Sequence, residues 1–160
     1  MTPAPESKDP TPEAQLRSFV DKFDPKHQKL FRSVRTALRK RFPTANELVY
    51  EYADSVVISY TPNRHGIDGI VSIALRADGL RLYLMNGPQL PDPKELLLGT
   101  GKQTRYVEVG TARQLSTPDV DALIAAALER AKVPLPSEGG GVLVIQSSAV
   151  KKKTRRKPAK

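Results

Sequence analysis

The sequence predicts an α+β domain, with two N-terminal helices, a mainly antiparallel sheet of about five strands and a C-terminal helix. Three observations carry this. Apolar residues recur at spacings of three and four along residues 13–42 and again along 118–131. Between these stretches lie short runs rich in β-branched and aromatic residues, set apart by turn-forming residues. One of those turns, Asp78-Gly79, is a strong hairpin signal.

Residues 1–12 hold four prolines and no periodicity, and read as disordered. From Glu13, Leu16, Phe19, Val20 and Phe23 form one helical stripe. Asp24-Pro25 reads as a cap followed by a first-turn proline. It opens a second helix whose stripe is Leu30, Phe31, Val34, Ala37, Leu38 and Phe42, ended by Pro43. Strands follow at Leu48–Tyr52 and Val56–Tyr60, then a Gly/Pro/Asn loop over 61–69, then strands at Ile70–Leu75 and Leu80–Met85. A two-residue Asp78-Gly79 turn would pair Leu75 with Leu82 and Ile73 with Leu84, keeping one apolar face. It would also set Arg76 directly across from Arg81 on the solvent face, with Tyr83 beside Ala74.

The stretch Leu90-Pro-Asp-Pro-Lys-Glu-Leu-Leu-Leu-Gly-Thr-Gly-Lys102 predicts a short helix. Asp92 stands as its N-cap, Pro93 at its first position and Gly99 at its left-handed stop. Arg105–Val109 is a fifth strand. Thr117-Pro118 starts the last helix, with Val120, Leu123, Ile124, Ala127, Leu128 and Ala131 as its buried face and Pro134 and Pro136 as its stop. The domain then spans 13–133. Residues 134–160 read as a flexible linker, a short edge strand over 142–146 and a basic tail.

Composition narrows the chemistry. The 160 residues contain no cysteine, so disulfides, thiolate metal sites and cysteine nucleophiles are excluded. The polar, proline-rich start has no signal-peptide core, and the longest apolar run, Ala122 to Leu128, is too short for a bilayer. A cytoplasmic protein with no membrane partner is the expectation. The formal net charge is +9, but Lys151, Lys152, Lys153, Arg155, Arg156, Lys157 and Lys160 supply seven of it, leaving +2 for residues 1–150.

Several constellations compete as sites. Gly99-Thr-Gly-Lys102 is not a P-loop, because Leu96 takes the first glycine's place, Gln103 follows the lysine and a strand comes next. An anion nest survives as the weaker idea, with Lys102, Arg105 and Tyr106 as contacts and the open sheet face adding Arg76 and Arg81. Arg32, Arg35 and Arg39 share one strip of the second helix with no acid after Asp24. Acidic neighbours or a polyanion would offset their repulsion. With Lys151, Lys152, Lys153, Arg155 and Arg156 they make nucleic acid the alternative partner. Glu47 and Glu51, on one face of a strand with Asp54 beyond, are the one cluster suited to a hard cation. His27 and His65 stand in a helical first turn and a loop, and no serine sits in a nucleophile elbow. No catalytic motif and no cofactor follow from these residues. A small domain binding an anionic ligand, a metal or a protein partner is the first reading.

The segments Leu90-Pro91-Asp92-Pro93, Leu96-Leu97-Leu98-Gly99-Thr100-Gly101-Lys102 and Arg105-Tyr106-Val107 resemble the YdhG-like family, a bacterial domain family. The order of elements agrees, as do Glu47 leading into the first strand and a basic segment after Gly141–Ser147. The resemblance covers about residues 13–133. Similar sequences often carry histidine after the arginine, where this one has Tyr106. The resemblance implies a compact fold with an antiparallel sheet. It implies a frataxin-like iron-chaperone role through some relatives, and it supplies no catalytic residues.

Overall fold

A computed structural model describes residues 10–147. Helix α1 (Pro12–Val20) starts on Thr11, whose hydroxyl oxygen accepts from the Ala14 N–H at 3.1 Å. Proline at the first helical position, the signal read at Asp24-Pro25, therefore operates at Thr11-Pro12 as well. The segment expected to be disordered through residue 12 gives its end to the helix, and residues 1–9 lie outside the described residues. Helix α2 (Pro25–Arg41) is capped by Asp24, which accepts from the Lys26 N–H at 2.9 Å. The Gln28 amide closes the turn between the helices by donating to the carbonyls of Asp21 and Phe23.

The described residues form a six-stranded sheet of β1 (Asn46–Glu51), β2 (Ser55–Thr61), β3 (Val71–Arg76), β4 (Gly79–Met85), β5 (Thr104–Val109) and β6 (Leu143–Ser147). Its order is β5-β4-β3-β2-β1-β6. Every neighbouring pair is antiparallel except β1 and β6, which run parallel. The α+β class holds. The expected edge strand is real, and its parallel pairing makes the sheet mixed.

Helix α3 (Pro118–Glu129) follows a 3-10 turn over Ala112–Ser116. Alternation sends Val49, Ile58, Tyr60, Ile73, Leu75, Leu82, Leu84 and Val107 to one face, where they join Phe31, Val34, Leu38, Leu123 and Ile124 in one core. Completely buried Leu or Ile side chains contribute about 1.5–3 kcal/mol each, so this layer rather than any single bond holds the domain. On the other face the 62–69 loop folds over β1 and β2: Gly69 lies against Ser59 and Gly66 against the Tyr50 hydroxyl. Among the described residues no helix is long and apolar enough to cross a membrane.

Two local expectations are corrected. The β3–β4 loop is Ala77-Asp78, so Leu75 faces Leu80, Ile73 faces Leu82 and Ala74 faces Arg81. Arg76 stands across from Gly79, not Arg81, and Tyr83 across from Ser72. A slip of two residues keeps the apolar face inward, so parity alone cannot choose between the registers. The observed one adds the pair Val71–Leu84 and removes an arginine–arginine opposition.

The second correction concerns residues 92–99, which form no helix. Asp92 does cap, but for an irregular loop: its two carboxylate oxygens accept from the Leu96 and Leu97 N–H groups at 2.8 and 2.9 Å. Glu95 adopts a left-handed φ of 53°, which breaks helical propagation. Leu98 then pairs with Tyr106 by two backbone hydrogen bonds of 2.7 and 3.1 Å. A free strand edge thus outcompetes a helix too short to persist alone.

Candidate anion-binding cleft

The second half of α2 and the first two strands bring charge together below the surface. Arg35 donates to both oxygens of Glu47, from Nε and Nη2, each at 2.9 Å. The same guanidinium reaches Glu13 of α1 at 2.6 and 3.1 Å. The Tyr60 hydroxyl donates to Glu47 Oε2 at 2.8 Å, and Arg39 Nε stands 3.7 Å from Glu47 Oε1. The Glu47 side chain is 6 % exposed, whereas that of Arg39 is 59 % exposed. Glu47 reaches this position because it alternates in phase with Val49 on the helix-facing side of β1.

Electrostatics follow from the packing. Burial works against the charge of Arg35, but its hydrogen bonds to Glu47 and Glu13 outweigh that and hold its pKa above the usual value. The Arg35 hydrogen bond holds the Glu13 carboxyl below its usual range. Burial, reinforced by the Glu47 charge, pushes the Tyr60 phenol well above its usual value.

Next to this network opens a cleft of about 340 Å³. Phe42, Leu143, Tyr60 and Glu47 line its inside, and Arg39 and Lys40 stand at its mouth. The segment entering β6 makes one wall, tied down by Gly141 N–H to Pro43 O at 3.2 Å and Val142 N–H to Asn46 Oδ1 at 3.0 Å. A Cβ on Gly141 would stand 1.6 Å from the Ala45 carbonyl oxygen, so only glycine allows this crossing. A smaller cleft of about 250 Å³ opens between α1 and α2 and shares Arg39 and Thr36 with the first.

The residues singled out from sequence distribute as follows. Arg35 and Arg39 meet Glu47, while Arg32 turns to its own helix and donates to Gln28 Oε1 at 3.0 Å, with Asp21 3.9 Å away. The acidic neighbours that the basic strip calls for are thus supplied largely within the fold. Glu51 pairs with Lys22 at 2.6 Å and Asp54 is exposed in the β1–β2 turn. Among the described residues no three His, Cys, Asp or Glu side chains gather as a metal ion would require.

The five residues of the expected anion nest do not converge. Arg81 lies over the Tyr106 ring, its guanidinium carbon 4.3 Å from the centroid, and donates to the Tyr83 hydroxyl at 3.2 Å. Arg105, one residue before Tyr106, faces the opposite side of the sheet and donates to the Gly101 carbonyl at 2.8 Å. Lys102 is exposed in the glycine turn, and Arg76 sits 3.6 Å from Asp78. Lys151, Lys152, Lys153, Arg155 and Arg156 lie outside the described residues. From sequence, Tyr60 and Gly141 stand only within a strand and a terminal segment and Lys40 only as one cation of the second helix, none as a site residue, although a glutamate in phase with buried apolar residues marks Glu47 as a group needing buried partners.

The architecture is that of a helix-covered, mostly antiparallel sheet with a cation-rimmed cleft at its β1–β6 edge. No family model, curated protein or solved structure matches the chain.

Proposed function

We propose that this domain is a non-enzymatic binding module for a small amphiphilic anion, a carboxylate or phosphate carrying a short apolar body. The observation that supports it most is the cleft in which Arg39 and Lys40 flank an interior of Phe42, Leu143 and the Tyr60 ring, with the Glu47 carboxylate there neutralised by Arg35. Arg35 already occupies the Glu47 carboxylate, so exposed Lys40 and the outward donors of Arg39, whose Nε alone lies near Glu47 at 3.7 Å, are the groups to meet a ligand's charge. The apolar interior would take its body. Tyr60 is held as a phenol and Glu47 is engaged by three neighbours, an arrangement that favours a fixed wall over a proton-transferring pair. The resemblance to YdhG-like domains supports a small binding domain, and a cytoplasmic setting belongs to the same proposal.

Calorimetric titration with inorganic phosphate and with hexanoate tests it. Hexanoate should bind more tightly than phosphate, and Arg39→Gln with Lys40→Gln should weaken hexanoate by about tenfold or more. Absence of heat with both anions in the unaltered protein would end the proposal.

A further inference from the structure

Charge also gathers between the first two helices. On α1, Glu13, Leu16, Arg17 and Val20 recur at three and four and share one face, as Arg32, Arg35 and Arg39 do on α2. The two faces border the cleft of about 250 Å³, whose inside is Leu16, Val20 and Phe31, all buried. Such a floor keeps water from beneath the guanidinium groups, so charged hydrogen bonds made above it are less screened than on an open helix.

Four arginines border this space, and two carboxylates answer them. Both are spent mainly on Arg35, which binds Glu13 and Glu47 together. Arg39 approaches Glu47 only through Nε, at 3.7 Å. Arg32 donates to the neutral Gln28, with Asp21 3.9 Å away. Among the described residues Arg17 forms no ion pair, and it acts on Glu13 only through the field between them. Three cations on two helices thus face one space with little to balance them, a repulsion that a bound anion relieves.

We infer that the α1–α2 cleft binds a diphosphate group, held by Arg17, Arg32 and Arg39 across the two helices. Arg32 and Arg39 stand two turns apart, about 10 Å along α2, with Arg17 on the other helix. That spread suits two linked phosphates, each taking paired donors from planar guanidinium groups, better than one small anion. Free pyrophosphate and a nucleoside diphosphate present the same group. Arg17 and Arg32 do not border the cleft at the β1–β6 edge, and Lys40 and Phe42 do not border this one. The two sites share Arg39 but stand or fall separately.

Calorimetric titration of the full chain with pyrophosphate, adenosine diphosphate, inorganic phosphate and citrate tests it. Pyrophosphate should bind at least about tenfold more tightly than phosphate or citrate, and should raise the melting temperature by joining α1 to α2. Adenosine diphosphate binding more tightly than pyrophosphate would assign the cleft to nucleotides, and the reverse order to the free anion. Arg17→Gln and Arg32→Gln, both at exposed side chains, should each weaken pyrophosphate about tenfold. Lys94→Gln, which removes an exposed charge from the 92–98 loop, should bind pyrophosphate as the unaltered protein does. Silence toward hexanoate beside firm pyrophosphate binding would sink the amphiphilic-anion proposal and leave this one standing. Three results would overturn the inference: no heat from either diphosphate at low salt, equal binding of citrate or phosphate, or an equal loss in Lys94→Gln. Full pyrophosphate affinity in a folded Arg17→Gln/Arg32→Gln protein would do the same.

Discussion

Arg35 grips the buried carboxylate of Glu47 through two 2.9 Å hydrogen bonds, and with its remaining donor capacity holds Glu13 of the first helix. One guanidinium thereby joins α1, α2 and β1. Its charge is needed where it stands, because Glu47 is almost without solvent.

Removing that cation should be costly. Arg35→Ala strands Glu47 in the interior, and loss of one partner of a buried pair typically costs about 3–5 kcal/mol. The double variant Arg35→Met/Glu47→Leu should recover most of the loss. Urea denaturation of the three proteins measures both effects. A loss below about 1 kcal/mol in Arg35→Ala would show that water reaches Glu47 after all.

Acid should loosen the α1 contact. The Arg35 hydrogen bond depresses the Glu13 pKa in the folded protein, so the unfolded chain takes up the proton at higher pH. The stabilisation is fully present above the ordinary value of 4.5 and fades as pH falls through the lower folded value. Melting temperatures of the unaltered protein and Glu13→Gln should differ at pH 6 and converge toward pH 3. A constant gap across that range would contradict the assignment.

Neighbouring glycines should respond oppositely. Gly141→Ala drives a methyl group into the Ala45 carbonyl, whereas Gly140→Ala meets nothing within 4 Å. The first should cost at least about 2 kcal/mol by displacing β6 from β1, and the second should stay within about 0.5 kcal/mol. Equal melting temperatures for the two would show that the crossing relaxes freely.

The 92–98 loop should depend on one side chain. Asp92→Ala removes the acceptor for two N–H groups, at a cost of about 1–3 kcal/mol. Hydrogen exchange at Leu96, Leu97 and Leu98 should accelerate before that of the β4 core strand. Protection unchanged at those amides would mean that the Leu98–Tyr106 pairing alone orders the loop.

How far the sequence speaks depends on the range of the cause. The stripes of α1, α2 and α3 and the alternation of β2 to β5 are local, and they predict the layers correctly. Register in the β3–β4 hairpin is only half local: the two-residue period tells which face Leu80 and Leu82 occupy, but which leucine each meets is decided by pairing Val71 with Leu84. The Pro91–Lys102 segment carries every sign of a short helix, and a tertiary competitor, the edge of β5, overrides it. The cleft was the least legible. Arg39, Glu47, Tyr60 and Gly141 come from four separate stretches, and the sequence assigned the first two to unrelated roles, one as a basic strip and one as a metal cluster.

Gly141 and Leu143 carry a consequence for how the cleft comes into being. During synthesis, helix, floor and rim cations all emerge before the wall that completes the enclosure. Until that final segment slides over Ala45, the compartment is an open notch. Whatever lodges inside and the terminal strand must then favour each other's docking equally, by thermodynamic reciprocity. Occupancy would thus report that the described chain has been made through to its sixth strand.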